Sequence, residues 1–268
     1  MSTTKPQPRV KILSSDEKIL TLELSGFDVS VVNALRRVMI SEVPTIAIDQ
    51  VEIKTNTSIM YDEMLSHRIG LVPLKIPSSV KMDQAKDITF QLFVKTGADE
   101  VRTVYVRDLV WIPPPSDELN PDMEPPTFPF PNIILLKLGP NQEIDLKCIC
   151  EVDVGRTHAK WSPVATAYYR LLPDISVSNK LPFDKLKQVC PSGVFEQDME
   201  DLQIHPEKCT LCRECVNTYP EEVTLHVTDK YILHVESSGV YEPSEILLRA
   251  LGVIMDKCIY TTKVLSLK

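Results

Sequence analysis

Glycine is scarce in this 268-residue chain. Its eight residues stand singly between Gly26 and Gly252, so no glycine-rich loop is present to cradle a phosphate. No G-x-S-x-G elbow occurs either, which removes the usual esterase-type nucleophile. The five histidines are dispersed, and none lies four residues from another around a glutamate. Basic charge is also short. Against 37 Asp and Glu stand 29 Lys and Arg, a net charge of −8. That sign disfavours direct gripping of DNA or RNA through phosphates. The chain opens without an apolar leader and holds no run of about 18 apolar residues, so no membrane contact is expected and the expected location is cytosolic or nuclear. The acidic stretch from Glu196 to Asp201 reads as a solvated loop, not as the aspartate set that holds catalytic magnesium. The chain is therefore expected not to be an enzyme by itself.

Proline, by contrast, is abundant at 21 residues. Pro113 to Pro131 carries a cluster that can form neither helix nor central strand, and it reads as a surface loop. Around it the alternation is strand-like. Leu20, Leu22 and Leu24 alternate with Thr21 and Glu23, and Val10–Ile12 is expected to pair with them across Ser14-Ser15-Asp16. Asp28 then caps a helix whose stripe is Val32, Leu35, Met39 and Val43, widened by Val31 and Val38, and Pro44 stops it. A strand from Thr45 runs on toward Ile53. The C-terminal end repeats this grammar: Val223–Val227, a turn at Thr228-Asp229-Lys230, Tyr231–Val235, then a helix opened by Pro243. That helix carries Ile246, Leu247, Ala250, Leu251, Ile254, Met255 and Cys258, a stripe wider than one sheet face needs. The outer helix surfaces thus remain partly apolar, which points to a partner interface. Between the two ends, Ile88–Val94, Thr103–Val106, Ile133–Leu138 and Ile144–Val154 read as strands.

Seven cysteines without a leader point to thiols and metal ligands rather than disulfides. Cys209, Cys212 and Cys215 follow C-x2-C-x2-C spacing, and Cys190 precedes Pro191 upstream. This is the ligand pattern of one 4Fe-4S cluster, three thiolates from a tight loop and a fourth from elsewhere. Zinc held by Cys209, Cys212, Cys215 and His205 is an alternative, as is no metal. Cys148 and Cys150 share one face of a strand and read as core thiols. Cys258 reads as core or interface.

The stretch from Val32 to Pro44, including Asn33-Ala34-Leu35-Arg36-Arg37, and the stretch Asp62–Leu74, including His67-Arg68-Ile69-Gly70, resemble signature segments of the larger α-like subunit of archaeal and eukaryotic RNA polymerases. His158–Pro173 resembles the version shared by RNA polymerases I and III. The four ferredoxin-like cysteines resemble those of plant-type and archaeal members. The zinc cluster typical of the polymerase II subunit is not found between residues 80 and 110. The resemblance implies an α+β chain with a split sheet-plus-two-helix dimerisation domain at 1–55 and 223–268. It also implies an inserted β-rich domain at 56–180 and a ferredoxin-like cysteine subdomain at 181–222. The expected partners are a small α-like subunit, stacked helix on helix, the second-largest catalytic subunit, and other polymerase subunits. The resemblance makes Asn33, Leu35, Arg36, Arg37, Met39, His67 and Arg68 partner-binding, together with Ile246, Leu247, Ala250, Leu251, Ile254 and Met255. Among these, Arg36, Arg37, His67 and Arg68 would face the second-largest subunit. The competing expectation is an electron carrier of ferredoxin type.

Overall fold

The computed structural model describes residues 7–75, 88–113, 125–178, 181–198 and 201–266. In chain order the strands are β1 (Arg9–Ser15), β2 (Ile19–Ser25), β3 (Pro44–Asn56), β4 (Thr89–Lys95), β5 (Arg102–Tyr105), β6 (Val110–Ile112), β7 (Ile134–Leu138), β8 (Glu143–Val154), β9 (Val164–Val177), β10 (Phe195–Asp198), β11 (Asp201–Ile204) and β12 (Val223–Ser237). The helices are α1 (Val29–Ser41), α2 (Asp62–Gly70), α3 (Phe183–Val189), α4 (Glu214–Thr218) and α5 (Pro243–Ser266). The chain is thus α+β, with antiparallel strand pairs. It packs as two units: residues up to Arg36 with Thr166–Val235, and Arg37–Ala165 with the residues from Glu236 onward.

The first unit is built on a four-stranded sheet of order β1-β2-β12-β9. Its hairpin forms where the alternation placed it. Val10 lies opposite Leu24 and Ile12 opposite Leu22. Asp16 makes the turn by accepting the backbone N–H groups of Lys18 (2.9 Å) and Ile19 (2.7 Å), an Asx-type turn. Leu20, Leu22 and Leu24 are buried. The expected turn at Thr228-Asp229-Lys230 does not form. β12 runs through it unbroken, because this segment is paired on both sides. The carbonyl of Asp229 accepts Gly26 N–H (3.3 Å), and Thr228 Oγ1 donates to the carbonyl of Leu172 in β9 (2.6 Å). Pairing by two flanking strands outweighs the turn preference of a polar triplet. The far end of this unit is a small core of Leu186, Val194, Phe195, Cys215, Ile175 and Val223 under the β10–β11 hairpin. The acidic stretch expected as a loop lies mostly in that hairpin, with Met199 and Glu200 outside the described residues.

The second unit is built on a sheet of order β3-β8-β4-β6, with β5 and β7 forming a separate pair. β3 and β8 pair from Pro44↔Val154 to Asn56↔Ile144, interrupted by irregularities at Ile48/Gln50 and Ile53/Thr55. The sequence grouping placed Thr45–Ile53 with the chain ends. The structure places it in this sheet, since its long alternation finds an equally long partner in β8. α2 packs against β3, and Leu65 and Ile69 join Ile46, Ile48, Phe90, Leu92 and Leu146 in the largest core cluster. The proline segment is tied down at its end. Thr127 bridges to Lys75, and the Phe128 ring lies 5.0 Å from that of Phe90. Residues 114–124 of that segment lie outside the described residues.

α1 starts after Asp28, whose carboxylate accepts Ser30 N–H (2.8 Å), and it buries Val32, Leu35, Val38 and Met39. The turn after β8 comes very close to the end of this helix. A Cβ built on Gly155 would sit 2.2 Å from the carbonyl oxygen of Ile40, so a side chain there requires backbone movement. Gly155→Ala is therefore expected to destabilise the protein by about 1–3 kcal/mol, read as a lower urea midpoint at unchanged slope.

Candidate functional site

α5 has two characters. At about 1.5 Å per residue its 24 residues reach about 36 Å, yet only Pro243, Ile246 and Ala250 are buried. The first turns are anchored. Arg249 pairs with Glu245 (2.7 Å) and lies 4.2 Å over the Tyr241 ring. The Tyr241 hydroxyl donates to the Pro44 carbonyl (3.2 Å), and burial pushes this phenol up to about 12. Beyond Ala250 the helix presents Leu251, Met255 and Ile259 at i, i+4, i+8, exposed by 42%, 62% and 49%. Leu248, Tyr260, Val264 and Leu265 are exposed as well. Side chains four apart share one face, so this is a continuous apolar strip with no covering side chains among the described residues.

This geometry sorts the expected partner residues. Leu251 and Met255 are available on the surface, and Leu247 and Ile254 are half-buried. Ile246, Ala250 and Met39 of α1 are fully buried within the chain and Leu35 of α1 is nearly so, so they serve the chain's own core. The wide sequence stripe merged two faces of α5, one internal and one external. Ile259, Tyr260, Val264 and Leu265 were missed because the stripe was ended at Cys258, although the i+4 step from Met255 to Ile259 continues it. Cys258 itself is exposed.

The polar candidates fall into three settings. Arg36 donates through Nε and a terminal nitrogen to Asn33 Oδ1 (3.2 and 3.0 Å), one turn back on α1, while Arg37 is exposed. Arg68 donates to the carbonyls of Leu135 (3.2 Å) and Ile134 (2.6 Å), holding α2 to β7. His67 lines an open cleft with Asp49, Ser66, Gly70, Leu71, His158 and Lys160. In this cleft Lys160 binds Asp49 (2.5 Å) and the Ile48 carbonyl (3.2 Å). Two sequence blocks nearly a hundred residues apart, around His67 and around His158, thus meet in one place.

The four candidate cysteine ligands are also brought together. Cys190, Cys209, Cys212 and Cys215 line a single pocket with Ile175, Val194, Phe195, Leu225, Ser192, Thr210 and Arg213. Burial raises the Cys215 thiol, Val216 N–H pulls the other way, and the nearby Cys209, Cys190 and Cys212 push it up further. The loop is wound tightly. Leu211 (φ 60) and Arg213 (φ 62) are both left-handed, and Leu211 N–H points at Cys209 Sγ (3.4 Å). Among the described residues, no three His, Cys, Asp or Glu side chains are close enough to hold a metal ion between them. The arrangement is thus a shared pocket and not a closed ligand set. Its donors are soft thiols in apolar walls, which suits iron–sulfur or thiolate-bound zinc. His205 does not line the pocket: its Nδ1 meets Glu207 (3.0 Å) and its Nε2 lies 3.4 Å from Glu196.

Comparison with known proteins matches residues 21–258 to the model of the RNA polymerase Rpb3/Rpb11 dimerisation domain. DNA-directed RNA polymerases I and III subunit rpac1 of Dictyostelium discoideum is 39% identical over 93% of this chain and 79% of its own length. The corresponding subunit RPAC1 of Saccharomyces cerevisiae is 35% identical over 94% and 85%. DNA-directed RNA polymerase II subunit rpb3 of Dictyostelium discoideum is 33% identical over 94% and 92%.

The remaining thiols behave differently from the pocket. Cys148 and Cys150 are fully buried in β8, and burial pushes Cys148 up to about 12 and Cys150 higher still. Both stay protonated at any pH well below that. Since the thiolate is the reactive form, iodoacetamide at neutral pH is expected to label Cys258 in the folded chain and to reach Cys148 and Cys150 only after urea unfolding, as read by peptide mass spectrometry.

Proposed function

Because the chain belongs to the family of the RNA polymerase Rpb3/Rpb11 dimerisation domain, we propose that it is the larger α-like subunit shared by RNA polymerases I and III. Its role is that of a non-catalytic assembly platform in the nucleus. It pairs with a small α-like subunit and then docks the second-largest catalytic subunit and other polymerase subunits. The observation that carries this reading is the exposed apolar strip of α5. A strip of this length on a chain with charge −8 is costly to leave in water, and a helix from a second chain of similar plan would bury it ridge into groove. His67 and Lys160, held in one cleft, together with the exposed Arg68 of the same helix as His67, form the polar surface offered to the large subunit. The four-helix stacking and the split dimerisation domain follow from the family and are part of the same proposal. An electron-carrier role accounts for the cysteines alone and leaves both surfaces without a purpose.

The test is co-expression with a small α-like subunit followed by size exclusion. A 1:1 heterodimer is expected. Met255→Asp with Ile259→Asp should weaken pairing more than about tenfold, because each unpaired carboxylate buried at the interface costs well over ~1.4 kcal/mol. Both side chains are exposed, so the free chain should keep its fold by circular dichroism. A monomer indifferent to the small subunit would end the proposal.

Within the same reading, Cys190, Cys209, Cys212 and Cys215 hold one 4Fe-4S cluster as a structural staple. When bound, the cluster supplies metal–thiolate bonds to a segment whose own core is a handful of side chains. The four thiols sharing one pocket support this fit, and zinc in the same pocket is the alternative that metal analysis separates. Anaerobically purified protein should contain about four irons per chain. Replacing Cys209, Cys212 and Cys215 with Ser should remove the iron and lower the thermal midpoint. A variant of full stability and normal assembly would show that no staple is there.

A further inference from the structure

We propose that Arg213 is the charge-compensating residue of the cysteine pocket, holding its guanidinium toward the thiolate-bound cluster and setting the reduction potential. The inference rests on the 4Fe-4S reading given above. Arg213 lines the pocket with all four cysteines, and every other lining residue is uncharged. Its side chain is exposed and has no hydrogen bond or ion pair among the described residues, so its charge is not already paired with a carboxylate. Its backbone is left-handed, at φ 62 and ψ 9. An L residue with a side chain adopts that conformation at a cost of about 1–2 kcal/mol, which glycine would avoid. A long cationic residue at such a position calls for a role that the turn alone does not supply.

Electrostatics provides one. Four thiolates outweigh the charge of the iron–sulfur core, so the assembly is anionic, and it becomes more so on accepting an electron. A cation at the pocket wall favours both states, and the reduced one more. Net charge beside the cluster is among the factors that set its potential. Removing the cation therefore moves the potential to more negative values.

The experiment uses the full chain, purified anaerobically, with iron and sulfide assayed and the midpoint potential read by dithionite titration of the visible absorbance. Arg213→Gln and Arg213→Gly are compared with Arg213→Lys. The expected result is a negative shift for the Gln and Gly variants, with the Lys variant close to the parent. Loss of iron from the Gln and Gly variants but not from Lys would equally support the proposal, since charge would then be what retains the assembly. The Gly variant separates charge from turn geometry. If Arg213 serves only the turn, glycine relieves strain and leaves the potential where it was. Equal potentials and equal iron in all four proteins would overturn the assignment while leaving the cluster in place. A parent protein without iron and sulfide would remove the cluster reading, and this proposal with it.

Discussion

The second unit depends on the ladder between β3 and β8. Eleven residue pairs run along it, and both strands also supply core side chains. Such a pairing satisfies its own backbone groups, so it can be buried and built upon. α2 rests against β3 and is clamped to β7 by Arg68. Thr45 donates to the Trp161 carbonyl (2.7 Å), and the Trp161 indole donates to the Glu151 carbonyl (3.0 Å). The segment carrying His158 and Lys160 is thereby fastened to the two strands from both sides. The cleft around His67 is a consequence of this ladder, because its walls are β3 and elements hung from it.

The same unit explains why α5 can protrude. A surface helix is held by one face, and here the holding is concentrated at its start. Ile246 and Ala250 fill the core, Arg249 covers Tyr241, and Lys257 reaches Glu42 further along. Past that pair no apolar residue of α5 is buried. Alanine-like helix propensity is not what keeps those later turns apolar, since Leu, Met, Ile, Tyr and Val bring surface that water disfavours. Their presence is intelligible as half of an interface, with the anchored first turns presenting the rest in a fixed direction.

Much of this was legible in the residues themselves. The strands β2, β4, β5 and β8 follow period-two alternation, and α1 begins where Asp28 predicts. The family blocks were legible as well, because three separate stretches agree in order. What escaped was decided by distant pairing. Thr228-Asp229-Lys230 has every local feature of a turn, yet strands on both sides draw it straight. The α5 stripe shows a related limit. A helical wheel tells which residues are apolar, but Ile246 and Met255 look alike on it until the packing shows one buried and the other exposed. Arg68 was expected to face the second-largest subunit; it is exposed, and the partners it has within the chain are carbonyls that carry no sequence identity at all.

The cysteine pocket shows where local spacing reaches its limit and topology takes over. Cys209, Cys212 and Cys215 are neighbours by spacing alone. Cys190 joins them only because α3 and the β10–β11 hairpin fold back over α4 around Leu186 and Phe195. That core is thin, so the pocket and the fold around it support each other. A thin core makes a bound metal most effective as a staple, because the bonds it adds are a large share of what holds the segment. It also makes the loop's own conformation matter. Two left-handed residues, Leu211 and Arg213, are kept where glycine would be easier. These two positions wind the loop that carries three of the pocket's thiols, and the residue at the second of them is the only charged one on the pocket wall.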